Sequence, residues 1–173
     1  MERNGLLQIA GNDVTVIGPD LKVGDTAPEF NATAQDWSTM NVLEATKGKV
    51  RIIAALPSLN TSVCDTETRR FNQEAASLDP NIAIVTVSTD LPYTIKNYCA
   101  ASGIDKVIPV SDHADGNFGE KYGTLVKERR IHRRAIFVVD KNGKISYSDY
   151  MPTLGDQPNY EEVLAAAKEA LTS

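Results

Sequence analysis

Two cysteines, two histidines and one dense run of arginines are the residues of this chain whose types and placement can do chemistry. Cys64 is the most suggestive. It ends the run Pro57-Ser58-Leu59-Asn60-Thr61-Ser62-Val63-Cys64, after the apolar strand pattern Val50 to Leu56 and before a helical recurrence of Phe71, Ala75 and Leu78. Only a thiolate is nucleophilic, and a helix N-terminus favours one. An ordinary cysteine titrates near ~8.5, so roughly 3% is ionised at neutral pH, and fast chemistry needs positive charge and aligned N–H groups nearby. The other fate of such a residue is a small buried core position. Placement alone leaves both open.

Thr61 stands three residues before Cys64, so a turn brings its hydroxyl back toward the cysteine, either to serve a substrate or as an ordinary N-cap. Pro57 stops the strand and can also shield a sulfur from water. Cys99 lies 35 residues beyond Cys64, which excludes a CxxC exchanger and a tight zinc knuckle. His113 and His132 have no evident metal spacing and read as solvated loop residues. Lys127, Arg129, Arg130, His132, Arg133 and Arg134 form the densest positive cluster, and such a run is usually a solvated face. Arg134 differs, because it immediately precedes the apolar strand Ala135 to Val139 and from a strand end it can reach a neighbouring strand-to-helix turn. Spacing does not choose among the four arginines.

The elements that must position these residues follow from the patterning. Leu6 to Ile9 and Val14 to Ile17 predict a hairpin turning at Gly11-Asn12-Asp13. A broken segment and a short strand over Phe30 to Thr33 come next. Then strand Lys49 to Leu56, helix Val63 to Ala76 and strand Ile82 to Ser88 alternate, the strands carrying the continuous apolar runs of a buried parallel sheet. Asp90 is placed to cap a helix from Pro92 to Ser102, with Gly103 as its stop. Strand Val107 to Val110, helix Asn117 to Tyr122 and a hairpin around Lys141-Asn142-Gly143 follow, and Asn159 with Glu162 forms a capping box for the last helix, Tyr160 to Leu171. Parallel strands first and an antiparallel pair last predict an α/β, thioredoxin-like mixed sheet flanked by helices. With no repeat or linker, residues 1–173 read as one domain, with residues 1–18 as an N-terminal hairpin extension.

Composition narrows the class. A hydrophobic content of 42%, a charged content of 24% and a net charge of −5 suit a globular protein that binds neither nucleic acid nor an anionic membrane. No stretch approaches the roughly 20 apolar residues of a membrane span. The N-terminus lacks a signal-peptide layout, so a cytoplasmic location is expected. In a reducing compartment a functional cysteine pair is redox-active rather than structural.

Pro57-Ser58-x-x-Thr61-x-x-Cys64 resembles the Pro-x-x-x-Thr-x-x-Cys signature of the peroxiredoxins. Gly24 to Phe30, Ser88-x-Asp90-Leu91-Pro92-Tyr93 leading into Cys99, Ser111-Asp112-His113, Phe118-Gly119-x-x-Tyr122-Gly123 and Arg134 to Asp140 are similar to the thiol peroxidase subgroup, the bacterial atypical two-cysteine peroxiredoxins. The resemblance implies Cys64 as peroxidatic and Cys99 as resolving cysteine of the same chain, with Thr61, Arg134 and Pro57 completing the site. It implies a homodimer that reduces hydrogen peroxide and alkyl or lipid hydroperoxides, is recycled by thioredoxin, serves antioxidant defence and needs no metal or organic cofactor. Two departures touch the surroundings: Asn97, where relatives commonly carry arginine, and the basic segment Arg130-Ile131-His132-Arg133. A cysteine hydrolase using His113 or His132, and a redox-switched binding module, are the rival readings.

Overall fold

Every residue of Val50–Ala55 is buried, which a strand achieves only when both faces of its sheet are covered. The computed structural model describes residues 1–173 and centres them on that strand. In chain order the elements are strands β1 (Glu2–Ile9), β2 (Asn12–Ile17), β3 (Asn31–Thr33) and β4 (Thr39–Asn41), helix α1 (Val42–Ala45), strand β5 (Val50–Ala55), helix α2 (Ser62–Ala75), strand β6 (Ile82–Ser88), helix α3 (Pro92–Ser102), strand β7 (Ile108–Ser111), helix α4 (Asn117–Tyr122), strands β8 (Leu125–Val126), β9 (Ile131–His132), β10 (Ala135–Val139) and β11 (Ile145–Tyr150), and helix α5 (Tyr160–Thr172).

Seven strands form a mixed sheet in the order β11-β10-β5-β6-β7-β3-β4. Strands β5, β6 and β7 run parallel, and β10 joins β5 antiparallel. This is the expected thioredoxin-like order. The side-chain period of two divides each central strand between two cores. Val50, Ile52, Ala54, Ile84, Ile136 and Val138 pack with Cys64, Phe71 and Cys99 on one face. Ile53, Ala55, Val85, Val87, Phe137 and Val139 meet Phe30, Phe118 and Tyr122 on the other. Because both faces are apolar, the alternation is invisible in sequence, and the two cores emerge only on folding.

A second sheet, β1-β2-β8-β9, carries the N-terminal hairpin, whose Leu7, Ile9, Val14 and Val16 pack on Val126. Its turn is Ala10-Gly11, not Gly11 to Asp13, since Ile9 pairs with Asn12. Both turn residues have positive φ, 53° and 80°, the handedness of a two-residue hairpin loop. The strands are also longer than expected: past an irregularity between Asn4 and Leu7, pairing resumes as far as Glu2 with Ile17. The last helix is capped by Asn159, which accepts from the Glu162 N–H at 3.1 Å. The reciprocal arm of the capping box is absent, because the Glu162 carboxylate accepts from the Tyr147 hydroxyl instead.

Candidate active site

Strand β5 delivers the chain to Leu56 and Pro57, both buried, and a short loop then opens α2. Thr61 is the N-cap of that helix, with extended backbone (φ −78°, ψ 148°). Its hydroxyl accepts from the Cys64 N–H and donates to the Ser58 carbonyl, each at 3.2 Å. Thr61 thus contacts the cysteine through its backbone, as a cap does, and is itself exposed. Cys64 sits in the first turn of α2 with 0% exposure.

Arg134 is the arginine that turns inward. Continuing the alternation of β10 backward puts Arg134 on the face of Ile136 and Val138, toward α2, and Arg133 on the opposite face. Arg134 Nη2 donates to Cys64 Sγ at 3.2 Å, and Nη1 donates to Glu67 Oε2 at 2.6 Å. Nε and Nη2 donate to the Leu154 carbonyl at 3.2 and 2.9 Å. The guanidinium is therefore held on three sides. Sequence reasoning missed both of its anchors. Glu67 lies three residues after Cys64, on the same helix face, and that spacing was the available signal. Leu154 contributes a carbonyl, which leaves no trace in residue type. Burial pushes the Glu67 carboxyl up to about 7, only partly offset by the Arg134 charge, and its Oε1 has no partner.

Asp90 does not cap α3. Leu91 occupies the N-cap position, and Pro92 begins the helix one residue later than an Asp90 cap requires. The Asp90 carboxylate turns instead to the cysteine loop, accepting from Ser58 Oγ at 3.0 Å and from the Leu59 N–H at 2.9 Å. It ties the start of the Cys99 helix to the loop before Cys64. Further along, the Tyr98 hydroxyl donates to Asp65 at 2.6 Å, a second tie between α3 and α2. Cys99 is buried in the same apolar cluster as Cys64, both thiols are free, and burial pushes the Cys99 thiol up.

The other basic and histidine side chains lie elsewhere. Lys127, Arg129 and Arg130 are exposed. Arg133 is buried over the Tyr150 ring and pairs with Asp20 at 3.1 Å. The histidines are not solvated loop residues, as their flanking polar sequence implied. His132 is fully buried, with Nδ1 2.9 Å from Thr124 Oγ1 and Nε2 3.3 Å from Asp112. His113 is half-buried against Trp37, with Nδ1 3.0 Å from Ser111 Oγ. Neither hydrogen-bonds Cys64, which removes the arrangement a cysteine hydrolase needs. Asn97 is exposed on α3.

Comparison with known proteins places this geometry in context. The family model described as Redoxin matches residues 22–164. A thiol peroxidase of Oceanobacillus iheyensis is 49% identical over 152 residues, spanning 88% of this chain and 92% of that protein. One from Bacillus subtilis is 45% identical over 158 residues, spanning 91% and 93%. Among solved structures, a peroxiredoxin-like protein from Aquifex aeolicus matches with a TM-score of 0.85 at 36% identity, covering 96% of this chain and 98% of that one.

Proposed function

The chain belongs to the redoxin family as a peroxidase of the thiol peroxidase type, and from that premise we propose that Cys64 is its peroxidatic and Cys99 its resolving cysteine. The observation that carries this reading is the Arg134 guanidinium 3.2 Å from the Cys64 sulfur, both buried, with the guanidinium anchored on its other edges. A cation so fixed stabilises a thiolate before attack and the departing oxygen during it, without reorganising.

The Cys64 thiolate attacks one oxygen of ROOH. An S–O bond forms as the O–O bond breaks, the alkoxide or hydroxide takes up a proton, and Cys64 is left as sulfenic acid. The Cys99 thiol then displaces water to form the Cys64–Cys99 disulfide. A dithiol donor, which we take to be thioredoxin, reduces that bond and is itself oxidised. Thr61 needs only to rotate its hydroxyl away from Ser58 to meet the peroxide, and Pro57 walls the sulfur from water. Hydrogen peroxide and alkyl or lipid hydroperoxides fit this chemistry equally. The homodimer reading is supported by exposed Leu91 and by the exposed Tyr93 and Trp37 rings, tilted against each other with centroids 5.1 Å apart, beside the Asp90 junction. No helix is long and apolar enough to cross a membrane.

The test is peroxide-dependent oxidation of thioredoxin by wild type, Cys64→Ser and Cys99→Ser. Cys64→Ser abolishes turnover, and Cys99→Ser accumulates sulfenic acid at Cys64 but no intramolecular disulfide. Full turnover by Cys64→Ser sinks the assignment.

Both cysteines are buried on separate helices and their thiols are free, so we expect resolution to proceed through local unwinding that brings the two sulfurs into bonding geometry. Asp90 opposes it. Removing its two hydrogen bonds costs the closed state about 1–3 kcal/mol. Asp90→Ala is therefore expected to speed hydrogen exchange over residues 57–64 and to raise the rate of disulfide formation. Exchange unchanged from wild type contradicts the latch.

A further inference from the structure

Three arginines are buried in this chain, and two have carboxylate partners: Arg133 with Asp20 and Arg134 with Glu67. Arg51 has none. It is 4% exposed, and its three hydrogen bonds go to neutral oxygens: Nε to Thr46 Oγ1 at 2.9 Å, Nη1 to the Asp140 carbonyl at 2.9 Å and Nη2 to the Leu43 carbonyl at 2.8 Å. Since a guanidinium carries five N–H donors, two remain without a partner in the protein. A buried cation with no carboxylate in hydrogen-bond contact is costly, and burial pushes the Arg51 pKa down, opposed only in part by the charges of Tyr122, Asp140 and Glu29. The usual solution is a paired anion.

The space for one is present. Arg51 lines a cavity of about 280 Å³ at the end of β5 opposite Cys64, walled by Lys47, Lys141 and the Asn142–Gly143 turn. Glu29 and Glu44 stand at the same cavity, so the fixed charges there sum in favour of the cations. One group of each sign is already engaged by a neutral partner. Glu29 Oε2 accepts from Asn41 at 2.7 Å, and Lys141 Nζ donates to the Leu171 carbonyl at 2.9 Å. The Lys47 ammonium makes no hydrogen bond within the chain, and the residue is exposed at the mouth. We propose that this cavity binds a small phosphate group, free or as a phosphomonoester, on the unpartnered Arg51 N–H groups with Lys47 closing over it. A planar fork over a floor of neutral carbonyls is suited to two oxygens of one tetrahedral anion. The site lies far from the cysteines along β5 and does not depend on the peroxidase assignment.

The probes are sodium phosphate and glycerol 3-phosphate, each titrated into the reduced full-length protein against sodium chloride at equal ionic strength. The amide resonances of Thr46, Lys47 and Gly143 are expected to move saturably with phosphate and not with chloride. Tighter binding of glycerol phosphate identifies the ligand as an ester, and equal binding identifies the free ion. Lys47→Glu reverses an exposed charge, leaves the fold intact and weakens binding by at least about tenfold. Arg51→Lys, where it folds, does the same by losing the fork. Phosphate shifts no larger than those of chloride overturn the proposal, as does binding that Lys47→Glu leaves unchanged.

Discussion

Arg134→Met slows oxidation of Cys64 by peroxide about 10²–10³-fold, the loss that follows removal of one preorganised charge-stabilising donor from a buried site. Methionine keeps much of the arginine's apolar volume, so the change reports the charge and its hydrogen bond to Sγ rather than a cavity. The single variant also strands the Glu67 carboxyl, buried at 0% exposure, without its partner. The double variant Arg134→Met/Glu67→Gln separates that stability effect from the chemical one. Arg134→Lys restores little, because an ammonium cannot meet Sγ, Glu67 and the Leu154 carbonyl at once. The measurement is the second-order rate of Cys64 oxidation at saturating folded protein. A fall of less than about tenfold in the double variant means the guanidinium is structural and the transition-state role is wrong.

The second large effect concerns stability against pH. Glu67 holds its proton up to about 7 in the folded chain, against an ordinary value of 4.5, because burial disfavours the carboxylate. Between those values the folded state binds the extra proton, so stability falls as pH rises. The contribution is complete below about pH 4.5, declines as pH rises and is gone above the folded-state value. Glu67→Gln removes the titration while its amide oxygen still accepts from Arg134, and its NH₂ replaces the unpartnered Oε1. Chemical denaturation between pH 4.5 and 8 is expected to show a flatter profile for the variant, with its largest gain over wild type at the alkaline end. Parallel profiles mean that Glu67 is ionised throughout, held by Arg134. The same substitution leaves the Arg134–Cys64 contact in place, so its peroxide rate stays close to wild type while that of Glu67→Leu falls.

Much of the scaffold was legible in the residues. The apolar runs Ile82 to Ser88 and Ala135 to Val139, the Asn142-Gly143 turn and the Asn159 cap all sit where their chemistry predicts, because each is a local preference of the backbone. Local signals failed where a tertiary partner outbid them. Asp90 has the composition of a cap, yet two donors from the loop at Ser58 and Leu59, 32 and 31 residues earlier in the chain, claim its carboxylate. His132 looks solvated among charges, yet Thr124 and Asp112 enclose it. The Ala10-Gly11 turn was displaced because register across the hairpin, not turn composition, decides which residues reverse the chain.

By itself the sequence determined a cysteine at a helix start, its motif Pro57, Thr61 and Cys64, and a basic residue poised before β10. These are adjacency and residue type, which a linear chain carries in full. Spacing left open which arginine reaches the sulfur and the resemblance pointed to Arg134; the tertiary structure supplies the reason, since the pleat of β10 sends Arg134 to the α2 face and Arg133 to the other. It alone supplied Glu67 and the Leu154 carbonyl to hold that guanidinium, and Asp90 to clasp the two cysteine-bearing segments. It alone left Arg51 buried with hydrogen bonds only to neutral oxygens at the far end of β5. The physical reason is common to all four: charge pairing is a contact between distant segments, fixed by sheet order and strand register, neither of which any stretch of sequence records.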